Sequence, residues 1–178
     1  DHLHPKERPL GKILRVQMIF QNPMASLNPR RSVIDTITEG PLRHGMIKPR
    51  ERQRFAAALM DEVGLPRDAL DRLPHQFSGG QRQRIGIARA LSVSPDVLIC
   101  DEPVAALDVS VQAQILNLLD EIRDKMNLSM VFITHDLRVA AQVCDRIAVM
   151  QRGKLVEVGP TGALGYRALA GPQKGLRS

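Results

Sequence analysis

Two short runs with no polar residue, Val97–Cys100 and Met130–Ile133, bracket a long amphipathic stretch from Val111 to Met126. Runs of this kind read as strands buried on both faces, the pattern of a parallel sheet. In the stretch between them, Val111, Ile115, Leu118, Leu119, Ile122 and Met126 recur at helical spacing and are expected to face inward. Strand, helix and strand in that order point to an α/β fold with a mostly parallel sheet. The rest of the chain agrees. Val16–Phe20 reads as a strand, followed by a turn-rich loop marked by Asn22-Pro23 and Asn28-Pro29. Arg52–Val63 is expected to be helical, with Phe55, Leu59 and Val63 on one face, and Gly64-Leu65-Pro66 stops it. A second helix is expected at Gly79–Leu91 and another at Leu137–Cys144. Ile147–Met150 and Leu155–Val158 flank Gln151-Arg152-Gly153-Lys154, a hairpin pattern.

At 178 residues and 43% hydrophobic, the chain can bury the core of one domain with a smaller attached lobe. Its net charge of +6 raises nucleic acid as a partner. Much of that charge lies in Arg43, Lys48, Arg50, Arg52 and Arg54 against Glu51, which reads as a solvated loop and helix face. With one Tyr, four Phe and no Trp, the interleaved aromatics that support nucleic-acid binding are missing. Cys100 in an apolar run and Cys144 in a helical pattern suit neither a disulfide framework nor a metal site, and fit a reducing, cytosolic location. No apolar run approaches the ~18 residues of a membrane span. No secretion signal opens the chain, and without an initiator Met its first residue, Asp1, reads as a cut end.

Several polar residues sit where chemistry is done in such folds. Asp101 and Glu102 leave the carboxyl end of a strand, the edge at which open α/β sheets bind ligands. A hard carboxylate such as Asp101 can hold phosphate-bound Mg²⁺, and Glu102 can act as general base towards water. The plainer reading is a strand end with solvated acids. Ser78-Gly79-Gly80-Gln81 has the S-x-x-Q spacing of a capping box, so a helix should begin there. Its glycines leave backbone N–H groups uncovered beside a serine hydroxyl, which suits an anion; an ordinary capped helix is the alternative. Arg82 and Arg84 are expected to solvate that helix. His135 follows the second apolar run and can hydrogen-bond a phosphate or position water, or serve structure alone. His75 has no partner motif and reads as structural. Gln21, beyond the first strand, can reach a metal or water from its loop.

Taken together, these residues resemble the ATP-binding subunits of ABC transporters. In that resemblance Gln21 is the Q-loop glutamine, Ser78–Gln81 the signature motif, Asp101 and Glu102 the Walker B acids, Asp108 the D-loop and His135 the switch histidine. It covers roughly Val16 to Pro160. The texts Q-M-I-F-Q-N-P-M-A-S-L-N-P-R, F-S-G-G-Q-R-Q-R-I and A-L-D-V-S-V-Q-A-Q resemble the oligopeptide, dipeptide and nickel importer subgroup. The resemblance implies a P-loop NTPase-like (RecA-like) lobe with an inserted helical subdomain at about 32–91, within a partial ATPase domain over 1–161 and a divergent tail at 162–178. It implies ATP and Mg²⁺ as cofactors, with Glu102, His135 and Gln21 catalytic and Asp101 and Gln21 on the metal. Ser78, Gly79, Gly80 and Gln81 are implied to face ATP held on a partner. The implied partners are a second ATP-binding subunit, a membrane permease and, indirectly, a solute-binding protein, with no nucleic acid. The implied location is cytoplasmic, on the inner face of the membrane.

The sequence also departs from that pattern. It contains no G-x-x-x-x-G-K-[ST], and Gly11-Lys12 lacks both the earlier Gly and the following hydroxyl. Leu73 stands where the subgroup usually has Tyr, and Val104 and Ala105 where it has small hydroxyl residues. These departures lead to the expectation of an N-terminally truncated product that completes no nucleotide site of its own. They also suggest that Val97–Cys100 faces an open, aggregation-prone edge, leaving the isolated chain poorly soluble or partly folded. Two other readings stay open: a soluble ABC protein of translation or repair, and a non-catalytic partner contributing only its signature face.

Overall fold

The computed structural model describes residues 15–163. The chain divides within its third strand, residues up to Val131 forming one compact unit and those from Phe132 a second. The first unit contains β1 (Val16–Ile19), the one-turn helix α1 (Pro23–Ser26), α2 (Val33–Arg43), α3 (Arg52–Glu62), α4 (Gly79–Leu91), β2 (Val97–Asp101) and α5 (Val109–Met126). Strand β3 (Ser129–Ile133) crosses the division. The second unit then has α6 (Leu137–Val143), β4 (Arg146–Gln151) and β5 (Lys154–Pro160).

The sheet runs β1-β2-β3. β1 and β2 are parallel, with Val16 opposite Val97 and Ile19 opposite Cys100. Asp96, at the head of β2, donates its N–H to the carbonyl of Arg15 at 2.8 Å and accepts at its own carbonyl from Ser129 at 3.0 Å. β2 therefore has a neighbour on each side, and Leu98 and Cys100 are fully buried. The expectation of an open edge at Val97–Cys100 is thereby corrected. The crossover through α5 returns the chain beside β2, so β3 takes the outer position, with Val131 51% and Ile133 45% exposed.

Helices α2, α3 and α4 pack on one another, and α4 also meets β1, α1 and α5. α4 is consequently buried along most of its length, and Ile85 and Ile87 are both at 0% exposure; burying each such side chain contributes about 1.5–3 kcal/mol. On α3 the fully buried residues are Ala56 and Met60, with Val63 just beyond the helix, whereas Phe55 and Leu59 are half-buried. The buried face is turned by one position from the expected one, onto Ala56 and Met60. α2 begins at Ser32, whose Oγ accepts the Asp35 N–H at 3.3 Å and donates to Asp35 Oδ2 at 2.7 Å. Arg52 then pairs with Asp35 and donates to Thr38 Oγ1 at 2.9 Å, tying α3 to α2. Arg52 thus leaves the solvated basic face, while Arg43, Lys48, Arg50 and Arg54 remain exposed. α5 starts two residues earlier than the apolar periodicity suggests, and Met126 is 36% exposed rather than inward. Asn127, with φ of 51°, ends that helix in the left-handed conformation.

In the second unit, β4 and β5 form an antiparallel hairpin closed by Arg152 (φ 49°) and Gly153 (φ 78°). Two successive positive φ values define the turn that matches strand twist. Among the described residues, no helix is long and apolar enough to cross a membrane.

Candidate functional site

β2 ends at Asp101, half-buried, and the chain reverses at once. Glu102 adopts φ of 44°, the left-handed region, which costs a non-glycine residue about 1–2 kcal/mol. That backbone lets the Glu102 carbonyl accept the N–H of Ala105 at 3.2 Å, while the Val104 carbonyl accepts that of Leu107 at 3.1 Å. Gln112 reaches back from α5 and donates Nε2 to the carbonyls of Val104 (3.1 Å) and Leu107 (2.9 Å). Consecutive turns and one side-chain clamp thus fix the loop from Glu102 to Asp108. Asp108 caps the start of α5 without a side-chain hydrogen bond and is exposed.

Gln21, two residues beyond β1, donates its Nε2 to Glu102 Oε2 at 2.8 Å. The parallel register of β1 and β2 brings these two strand ends together. The Gln21 amide nitrogen is thus committed to Glu102, which leaves the oxygen as the acceptor of that side chain. Among the described residues no three His, Cys, Asp or Glu side chains gather into a metal site. A lone carboxylate with an amide oxygen is instead the sparse donor set that suits Mg²⁺ carried on phosphates, which keeps its remaining ligands as phosphate and water.

α4 begins at Gly79 with the reciprocal capping that the S-x-x-Q spacing predicts: the Ser78 N–H donates to Gln81 Oε1 at 2.9 Å, and the Gln81 N–H to Ser78 Oγ at 3.3 Å. Gly79 is exposed and Gly80 buried. A Cβ on Gly80 would lie 2.5 Å from Val111 Cγ1, and one on Gly79 would lie 3.5 Å from Leu107 Cδ2. The start of α4 is therefore seated directly on the start of α5 and the loop before it. Glycine is needed at position 80 by this close approach, independently of any ligand.

The arginines of α4 depart from expectation. Rather than solvating the helix, Arg82 donates to the carbonyls of Pro74 (2.8 Å) and His75 (3.3 Å), and Arg84 donates to the carbonyl of Val63 at 2.7 Å. Both are half-buried. Arg84 satisfies a carbonyl left open at the end of α3, while Arg82 adds a second donor to the Pro74 carbonyl, which also accepts the Phe77 N–H at 3.3 Å. Farther along, Arg89 donates to the carbonyl of Ser26, at the end of α1. Burial pushes its pKa down, opposed by the charge of Glu39. Sequence reasoning missed Arg89 and Gln112, and it read Val111 only as an inward-facing helix position. Gln112 lies inside a quoted motif text, whereas Arg89 lies beyond the end of the nearest one, at Ile85.

His135 belongs to the second unit and is exposed, two residues beyond β3. Its neighbours fix its backbone. The Asp136 N–H donates to Thr134 Oγ1 at 3.1 Å, and Asp136 Oδ1 accepts the Arg138 N–H at 2.8 Å, capping α6. Its hydrogen bond with the Arg138 side chain is the main cause that holds the Asp136 carboxyl below the usual carboxylate range. His75 is exposed beside the start of α4.

Comparison with known proteins agrees with this arrangement. Residues 8–105 match the family model described as ABC transporter. The chain is 52% identical over 151 residues to the oligopeptide transport ATP-binding protein OppF of Bacillus subtilis, covering 84% of this chain and 50% of that protein. It is 48% identical over 147 residues to the dipeptide transport ATP-binding protein DppF of Haemophilus influenzae, covering 83% and 45%. The chain spans about half the length of the relatives it matches. Among solved structures, CbiO1 of Clostridium perfringens, part of the ABC transporter complex CbiONQ, superposes with a TM-score of 0.78 at 26% identity, over 92% of this chain and 65% of that one. The parallel sheet and its helical cover are thus those of a P-loop NTPase-like fold, and the chain belongs to the ABC transporter family.

Proposed function

We propose that this chain is part of an ATP-binding, ATP-hydrolysing subunit that powers import of peptides or similar small solutes through a membrane permease. The observation that carries this reading is the Gln21–Glu102 hydrogen bond at the carboxyl end of β2, in a chain about half identical to peptide-transport ATP-binding proteins. Glu102 is the general base: its carboxylate is held by Gln21 on a reversed backbone and takes the proton of the attacking water. Asp101 and the oxygen of Gln21 would hold Mg²⁺, which when bound neutralises charge developing on the phosphates. Ser78, Gly79, Gly80 and Gln81 offer a helix N-terminus and a hydroxyl to the γ-phosphate of ATP carried by a second subunit. His135 orients the same phosphate or water, and Asp108 sits at the junction between the two subunits. The helical segment at about 32–91 faces the permease, a solute-binding protein delivers cargo to that permease, and the subunit works on the cytoplasmic face of the membrane.

The test is ATP hydrolysis by the protein that carries this chain, assembled with its permease in vesicles. Glu102→Gln should lower kcat by at least about 100-fold with nucleotide still bound. Hydrolysis unchanged by that substitution would overturn the assignment of the base, and hydrolysis indifferent to added peptides would overturn the cargo.

A further inference from the structure

We infer that Arg89 is a positioning residue: it clamps the Gln21 loop onto α4, so that displacement of α4 moves Gln21 relative to Glu102. This rests on the roles proposed above for Gln21 and Glu102. The residues between β1 and α2 form little structure of their own. α1 is a single turn, with Asn22 Oδ1 accepting the Ala25 N–H at 3.2 Å and the Asn22 carbonyl accepting the Ser26 N–H at 3.2 Å. A turn this short has open carbonyls at its end, and the Arg89 guanidinium binds that of Ser26 across 63 positions of sequence. Leu27, the next residue, is 3% exposed. The anchor therefore lies at a half-buried residue beside a buried one, within a few residues of Gln21.

Half-buried, Arg89 spends its charge on a neutral carbonyl, and the charge that opposes its desolvation is that of Glu39, a carboxylate itself paired with Arg31. A buried cation is costly to hold unless its donors are used, and an arginine has several donors in a fixed plane. Its backbone is equally fixed: Ser92 Oγ donates to the Arg89 carbonyl at 2.7 Å, and Ser92 is 3% exposed. The two ends of α4 thus touch different parts of the candidate site. At its start Gly80 abuts Val111, next to the loop carrying Asp108, and near its end Arg89 holds the loop carrying Gln21.

The experiment compares Arg89→Met, Arg89→Lys and wild type in the full protein, by amide hydrogen–deuterium exchange and by ATPase kinetics. Arg89→Met should speed exchange in residues 21–28 while leaving β2 and the middle of α4 unchanged. It should also lower kcat about tenfold, the factor given by loss of one charge-assisted hydrogen bond, with KM for ATP within about twofold. Arg89→Lys, which keeps a donor, should recover part of both effects. In a Gln21→Ala background the Arg89→Met effect on kcat should disappear, because the clamp acts through Gln21. Unchanged exchange at 21–28, a rise spread evenly over the core, or an undiminished kcat effect without Gln21 would each overturn the inference. If the wild-type protein hydrolyses no ATP, the proposed function fails, while the exchange of residues 21–28 still decides the clamp. Should Arg89→Met not fold, the Arg89→Lys pair of measurements carries the same decision.

Discussion

Three glycines of α4 undergo the same substitution, to alanine, with three different expected results, because their surroundings differ. A Cβ on Gly80 would sit 2.5 Å from Val111 Cγ1, whereas carbon atoms in contact prefer about 3.5–4.0 Å. Relieving an overlap of that size by shifting α5, or by turning the β-branched Val111 away from its rotamer, costs about 1–3 kcal/mol. Alanine returns at most about 1 kcal/mol of helix propensity. Gly80→Ala should therefore destabilise by about 1–2 kcal/mol, lowering Tm by about 2–8 °C for a chain of this size. Gly79→Ala meets Leu107 at an ordinary 3.5 Å and should stay within about 0.5 kcal/mol of wild type. Gly86 has no heavy atom within 4 Å of its added Cβ, so Gly86→Ala should stabilise by about 0.5–1 kcal/mol. Urea unfolding reads the series as changes in midpoint at constant slope. The decisive arm is the pair with Val111→Ala, which removes the clashing methyl: Gly80→Ala should be milder in that background by about 1–2 kcal/mol. Equal effects at positions 79 and 80, with no coupling to Val111, would refute the claim that α4 rests directly on α5.

Two further predictions concern the first unit. The Asp35 carboxyl is held below its usual range chiefly by the Ser32 hydroxyl and then by Arg52. A depressed carboxylate contributes stability that is complete above its unfolded pKa of about 3.9 and is lost as pH falls through the lower folded value. Asp35→Asn should thus be less stable at neutral pH and show a flatter acid limb, its Tm converging on that of wild type below about pH 3; parallel Tm curves would exclude this role. Gln112→Met keeps the length of the side chain but removes its donor, freeing the carbonyls of Val104 and Leu107. Amide exchange should rise at least about tenfold across 103–108 and little elsewhere, since one net hydrogen bond contributes about 1 kcal/mol or more there. Exchange unchanged in that loop would mean that the turns at Glu102 and Val104 hold it unaided.

What the sequence made legible is what local chemistry encodes. The apolar runs at 97–100 and 130–133 and the periodic stretch between them specify β2, α5 and β3; burial on both faces accounts for the first run, whereas the outer strand β3 is exposed at Val131 and Ile133. Ser78 and Gln81 announce the first turn of α4 through a reciprocal bond that needs no tertiary context. α2 was not legible. Its sequence is crowded with β-branched residues, Val33, Ile34, Thr36, Ile37 and Thr38, which disfavour a helix locally. The Ser32 cap, the Arg52–Asp35 pair and burial against α3 and α4 override that preference. Strand order was hidden for a different reason. An apolar run shows that a strand is buried, but not which neighbours bury it, and the chain places β3 where an edge was expected. In the candidate site, Gln21 and Glu102 were legible separately as strand-end residues; their hydrogen bond follows from the register of β1 on β2, a tertiary property.

The arginines of α4 carry this distinction furthest. Read along the sequence, Arg82, Arg84 and Arg89 are charges on a helix that a solvated face explains. In the fold, each binds a carbonyl at the end of a different segment: the turn before α4, the close of α3, and the close of α1. The carbonyls of Val63 and Ser26 are of the kind that helices cannot satisfy internally, and they lie far from α4 in sequence, beyond the reach of any periodicity. Because the acceptors are neutral, each contact depends on directional hydrogen bonding rather than on an ion pair that tolerates sliding. A helix about 20 Å long, seated by a glycine at one end and pinned by directional bonds along its length, moves as one body. If Ser78–Gln81 shift toward a nucleotide, the carbonyl bound by Arg89 must follow or its bond must break, and either event is felt at Gln21.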